Sequence, residues 1–97
     1  MKVRKIRKIL RTYSPNVLVD GKPLLFWTLK YPKCVALLLV NGADPNIKMK
    51  LADDYHVTPL YFLNKIKKPR RETVWLLEKY GGEYIRYSDY ITINIKA

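Results

Sequence analysis

A unit that recurs along the chain governs what it can fold into. An apolar stretch opened by proline (Pro23-Leu24-Leu25-Phe26-Trp27) leads through Tyr31-Pro32 into a leucine-rich segment (Val35, Leu38, Leu39) that stops at Asn41-Gly42. The same order returns as Pro59-Leu60-Tyr61-Phe62-Leu63, Lys68-Pro69, Val74-Trp75-Leu76-Leu77 and Gly81-Gly82. Proline suits a first helical turn, where its missing N–H would have had no partner, and glycine suits the left-handed turn that ends a helix. Each unit therefore reads as two short helices joined by a tight turn. Units recurring at roughly 35–40 residues cannot hide their apolar faces alone and are expected to stack.

The N-terminal segment fits as half of such a unit. Val3, Ile6, Ile9, Leu10 and Tyr13 fall on one helical face, and Arg4, Arg7, Lys8 and Arg11 on another. Ser14-Pro15-Asn16 ends that helix, because the residue before proline avoids helical angles. Ile9-Leu10 before Ser14-Pro15-Asn16 parallels Leu38-Leu39 before Asp44-Pro45-Asn46. Val17–Asp20 reads as extended and Asp20-Gly21 as a turn. The chain thus divides, as one domain over 1–97, into a half unit at 2–16, full units at 17–46 and 47–83, and a tail at 84–97.

The run Leu37-Leu38-Leu39-Val40-Asn41-Gly42-Ala43-Asp44-Pro45-Asn46, with Thr58-Pro59-Leu60 and the ending Leu76-Leu77-Glu78-Lys79-Tyr80-Gly81-Gly82, resembles the ankyrin repeat. The resemblance implies an all-α repeat: a short ankyrin-type stack of antiparallel helix pairs, made of an N-terminal half repeat and two full repeats. The family usually has Thr-Pro-Leu-His followed by small residues. Here the first unit reads Lys22-Pro23-Leu24-Leu25-Phe26-Trp27, Tyr61 stands where histidine is common, and Trp27 and Leu63 stand where alanine is usual. The connection from Gly42 to Thr58 is longer than the family norm, so Leu51 to Tyr55 is expected to project as an extended finger.

The tail leaves the repeat pattern. Tyr84, Tyr87, Tyr90, Ile91, Ile93 and Ile95 are apolar or amphipathic, and Ile91-Thr92-Ile93-Asn94-Ile95 alternates as a strand does. Two readings stand side by side. The tail folds over the last helix pair, or it is an edge strand that pairs with a partner or with a second copy as a homodimer.

Chemistry is constrained by charge. Nineteen Lys and Arg against eight Asp and Glu give a net charge of +11, with 48% apolar residues enough for a folded core. That excess attracts anionic surfaces: an acidic protein, nucleic acid or lipid headgroups. The single cysteine, Cys34, excludes an intramolecular disulfide framework and fits a packing role. No long apolar stretch follows the basic N-terminus, and Val35–Val40 is too short to span a bilayer. An intracellular protein, cytoplasmic or nuclear, with no membrane span is expected. Enzyme signatures are missing from the sequence: His56 is the lone histidine, Asp53-Asp54 reads as a solvated loop, and Gly81-Gly82 follows a helix instead of opening one. No catalytic residue, cofactor or metal is expected.

The leading expectation is a non-catalytic interaction module for a protein with an acidic surface. Two faces are candidates. The first is a basic ridge at the helix–helix turns, carrying Lys30, Lys33, Lys65, Lys67, Lys68, Arg70 and Arg71, with Lys2, Arg4 and Lys5 at the same edge. The second is the finger, with Lys48, Met49, Leu51 and Tyr55 and with Tyr61 behind them. Nucleic-acid binding along the ridge is the alternative, although the basic residues lack the interleaved aromatics of a single-strand platform.

Overall fold

The computed structural model describes residues 1–88 and 92–95. Among these, five helices alternate with six strands: α1 (Val3–Leu10), β1 (Leu18–Val19), β2 (Lys22–Pro23), α2 (Leu24–Trp27), α3 (Pro32–Val40), β3 (Met49–Ala52), β4 (Tyr55–Val57), α4 (Pro59–Lys65), α5 (Arg71–Lys79), β5 (Ile85–Ser88) and β6 (Thr92–Asn94). The helix pairs α2–α3 and α4–α5 stand where the recurring units place them, and α1, α3 and α5 pack side by side in that order.

The all-α expectation is nonetheless wrong. The protein is a mixed α/β fold, with a two-stranded antiparallel sheet (β1-β2) and a four-stranded antiparallel sheet in the order β3-β4-β5-β6. It is therefore not a purely helical repeat stack. The reason lies in the connections. Asp20 and Gly21 both adopt positive φ, at 52° and 75°, which is the tight turn that matches strand twist and closes the β1–β2 hairpin. The long connection, expected as an extended finger, is extended but is part of a sheet. It folds as the hairpin β3–β4 around Asp53-Asp54, and β5 pairs along it (Tyr55↔Ser88, His56↔Tyr87, Val57↔Arg86). An unpaired hairpin edge leaves backbone N–H and C=O groups without partners, and the tail supplies them. The tail strand thus pairs first with its own chain, and β6 becomes the outer edge. Tyr90 and Ile91 of the expected tail strand lie outside the described residues.

The core runs through both layers. Ile6 of α1 meets Val35 and Leu38 of α3, then Leu24, Leu25, Leu60, Leu63 and Leu77, and Val57 of the sheet closes the same cluster. Successive units are tied by polar bonds. The Asn16 side-chain carbonyl accepts from the Asp44 N–H at 2.7 Å, and Asn46 repeats this with the Glu83 N–H at 2.7 Å while its amide donates to the Gly81 carbonyl at 3.0 Å. Buried Thr73 donates to the Leu29 carbonyl at 3.0 Å, joining α5 to the turn between α2 and α3. Thr58 ties the sheet to the helices. Its hydroxyl donates to the Glu83 carbonyl at 2.6 Å and accepts from the N–H groups of Ile85 and Tyr61 at 3.1 and 3.4 Å.

Candidate binding groove

The residues of the expected ridge come from three helix starts. Lys2 precedes α1, Lys30 and Lys33 flank the start of α3, and Lys68 and Arg70 precede α5. Because α1, α3 and α5 pack in register, their N-terminal ends meet along one edge, where Met1, Lys2, Val3, Lys30, Tyr31, Pro32, Lys33, Cys34, Arg70 and Glu72 enclose a groove of about 440 Å³. No side chain caps any of these three helices. Helix N-termini carry partial positive charge, which acidic residues ordinarily complement. Here α1 and α3 have no acidic residue in the first turn and α5 has only Glu72. Cations stacked on positive helix ends leave the edge electrostatically unsatisfied.

A second groove of about 500 Å³ adjoins the first, sharing Lys30, Tyr31 and Arg70, and lies between the α2–α3 and α4–α5 turns. Its walls are apolar: Phe26, Trp27, Leu29, Phe62, Leu63, Ile66 and Pro69. Its rim is cationic, formed by Lys22, Lys30, Lys68 and Arg70. Phe26 and Phe62 meet edge to face with ring centres 5.8 Å apart. Trp27 is held in place: its indole N–H donates to the Val19 carbonyl at 3.0 Å, and the Lys22 ammonium lies 4.3 Å from the ring centre. Trp27 is nonetheless 38% exposed, Ile66 38% and Tyr31 41%.

The ridge is thus divided. Lys30, Lys33, Lys68 and Arg70 line the paired grooves, whereas Lys67 and Arg71 are exposed without lining either. Lys65 lines neither groove; its ammonium lies 5.2 Å from the ring centre of Tyr61, one turn back on α4. Lys5 faces outward on α1 beside Arg4 and Lys8. The sequence reading missed Lys22, Phe26, Trp27, Tyr31, Phe62, Ile66 and Pro69. A signal was available, since Trp27 is a large ring on a very short helix, and it is left partly exposed as a groove wall.

The finger residues fare differently. Met49 and Tyr61 are buried and Tyr55 is half-buried, so only Lys48 and Leu51 face solvent. Tyr55 and Tyr61 instead converge on Arg86 of β5, whose guanidinium lies 4.8 Å from the Tyr55 ring centre. Burial pushes the Tyr61 phenol up, but hydrogen bonds from Arg86 and Tyr55 and the charges of Lys65 and Arg86 outweigh it and hold its pKa below the ordinary tyrosine value. The Lys48 ammonium lies 4.0 Å from the Tyr87 ring centre. His56 sits within β4 opposite Lys50 and Tyr87. Cys34 is buried and unpaired; its thiol is raised mainly by burial, against the N-terminal ammonium, and donates to the Met1 carbonyl at 3.7 Å.

Among the described residues, no three His, Cys, Asp or Glu side chains gather as a metal site would need, and no helix is long and apolar enough to cross a membrane. Comparison with protein-family models, with curated proteins and with solved structures returned no match.

Proposed function

We propose that the chain is a non-catalytic, intracellular protein-interaction module that binds an acidic protein surface along the edge where α1, α3 and α5 begin. The observation that carries this reading is the concentration of Lys2, Lys30, Lys33, Lys68 and Arg70 around two adjoining grooves with Glu72 as the one carboxylate. Opposite charge speeds encounter and selects partners, and buried apolar contacts set the lifetime of the complex. Occupying such a surface would modulate or inhibit the partner by covering it.

A short poly-glutamate peptide, followed by fluorescence anisotropy at low and moderate salt, tests the reading. The peptide is expected to bind at low salt and to weaken as salt is added. Lys30→Glu with Arg70→Glu should reduce affinity by about tenfold or more, whereas Arg7→Glu with Arg11→Glu, on the outer face of α1, should change it little. Equal losses from both pairs would reduce the binding to overall charge. A short single-stranded DNA that binds where the peptide does not would transfer the edge to the nucleic-acid reading.

A further inference from the structure

We infer that the aromatic groove receives one bulky apolar side chain of an extended acidic segment, whose flanking carboxylates lie on Lys30, Arg70, Lys2 and Lys33. This rests on the interaction reading above and adds the form of the partner.

The side chains change in kind along the paired grooves. At one end Trp27, Phe62 and Ile66 present aromatic and branched surface inside a ring of cations; the other end adds Lys2 and Lys33 and has no aromatic side chain besides the shared Tyr31. Lys30, Tyr31 and Arg70 border both. A small patch of exposed indole and aliphatic surface, fixed by the Val19 bond and the Lys22 contact, needs no ordering when a side chain enters it. Such pre-set aromatic pockets, ringed by polar groups, concentrate binding energy. Three neighbouring helices span two packing distances, roughly 16–20 Å, a length that about six extended residues cover.

The chemistry favours an acidic protein segment over other occupants. A second copy would bring another +11 against the same cations. A run of stacked nucleobases needs several free ring faces, whereas Phe26 is buried and meets Phe62 edge to face, and one face of Trp27 is covered by Lys22.

The test uses the full chain with Trp75→Phe, which leaves Trp27 as the sole tryptophan. Trp75 is 59% exposed, with the Lys79 ammonium 4.9 Å from its ring centre, and lines neither groove. Two labelled poly-glutamate peptides are compared, one with a single central phenylalanine and one with alanine there. The phenylalanine peptide should bind about tenfold tighter and shift Trp27 emission, while the alanine peptide binds without shifting it. Ile66→Ser should remove most of that preference and leave the alanine peptide unaffected. Equal binding of the two peptides, or a preference that leaves Trp27 emission unchanged, overturns the inference while the acidic-partner reading stands. Failure of both peptides to bind at low salt overturns both.

Discussion

At the residue scale, the least expected feature is the meeting of Tyr55, Tyr61 and Arg86. Lys65 and Arg86 make the phenolate of Tyr61 easier to form, despite burial. Tyr84 goes the other way: burial, the charge of Glu78 and a 3.3 Å bond donated to Glu78 hold its pKa above the ordinary value. The signs for stability follow. A lowered phenol contributes stability that is present above the ordinary tyrosine pKa and lost as pH falls through the lowered value. A raised phenol contributes stability that is present below the ordinary value and lost as pH rises through the raised one. Arg86→Met should therefore move Tyr61 ionisation upward, since burial then acts with fewer opponents, and Tyr61→Phe should delete that early step from a phenolate absorbance titration. An unchanged titration in Arg86→Met would show that Arg86 does not set the Tyr61 pKa. Gly82 offers a steric test. A Cβ there would lie 2.7 Å from the Leu77 carbonyl oxygen and 2.9 Å from Leu60 Cδ1, so Gly82→Ala should cost about 1–3 kcal/mol in denaturant unfolding. Arg86 illustrates what sequence cannot show. The strand-like alternation lies further on, at Ile91–Ile95, while the phenols that Arg86 meets lie in β4 and α4, and only the register Val57↔Arg86 brings them together.

At the element scale, the helices were legible because their signals are local. Pro32 and Pro59 open α3 and α4, and Gly42 and Gly81 close α3 and α5 at φ of 93° and 89°. Even the resemblance between Pro15-Asn16 and Pro45-Asn46 has a structural counterpart, since both asparagines bond the next unit's turn. The sheet was not legible for the opposite reason. Tyr55-His56-Val57 is too short to declare itself, and its pairing with Ile85–Ser88 depends on a partner far along the chain. The inward side of the finger was hidden with it, because strand alternation turns Met49 inward and leaves Lys50 outside. Thr58 is where the two kinds of structure join, and its hydroxyl serves three backbone groups in the interior. Thr58→Ala should cost about 1–3 kcal/mol, because buried donors and an acceptor lose their partner. Thr58→Ser keeps the hydroxyl and should recover most of that loss in thermal unfolding. If alanine and serine variants melt together, the hydroxyl is not what joins the tail to α4.

At the scale of the whole molecule, charge is far from balanced. One ion pair is present among the described residues, Lys50 with Asp53 at 3.8 Å and largely in solvent, while the net charge is +11. An exposed pair of that kind contributes little, so repulsion among the lysines and arginines acts against the compact state. Six of the cations, Lys2, Arg4, Lys5, Arg7, Lys8 and Arg11, precede the first acidic residue, Asp20. Salt screens that repulsion over about 10 Å at 0.1 M. Adding sodium chloride should therefore raise the melting temperature of the free protein, with most of the gain at low ionic strength. Binding of an acidic partner should respond in the other direction, because the same screening weakens attraction between opposite charges. The two measurements separate the roles of the cations. If Lys30→Glu with Arg70→Glu raises the melting temperature at low salt while lowering affinity for poly-glutamate, the groove edge retains positive charge at the expense of stability, as a binding surface does. A melting temperature that falls with those substitutions would instead make the same side chains part of what holds the helix starts together.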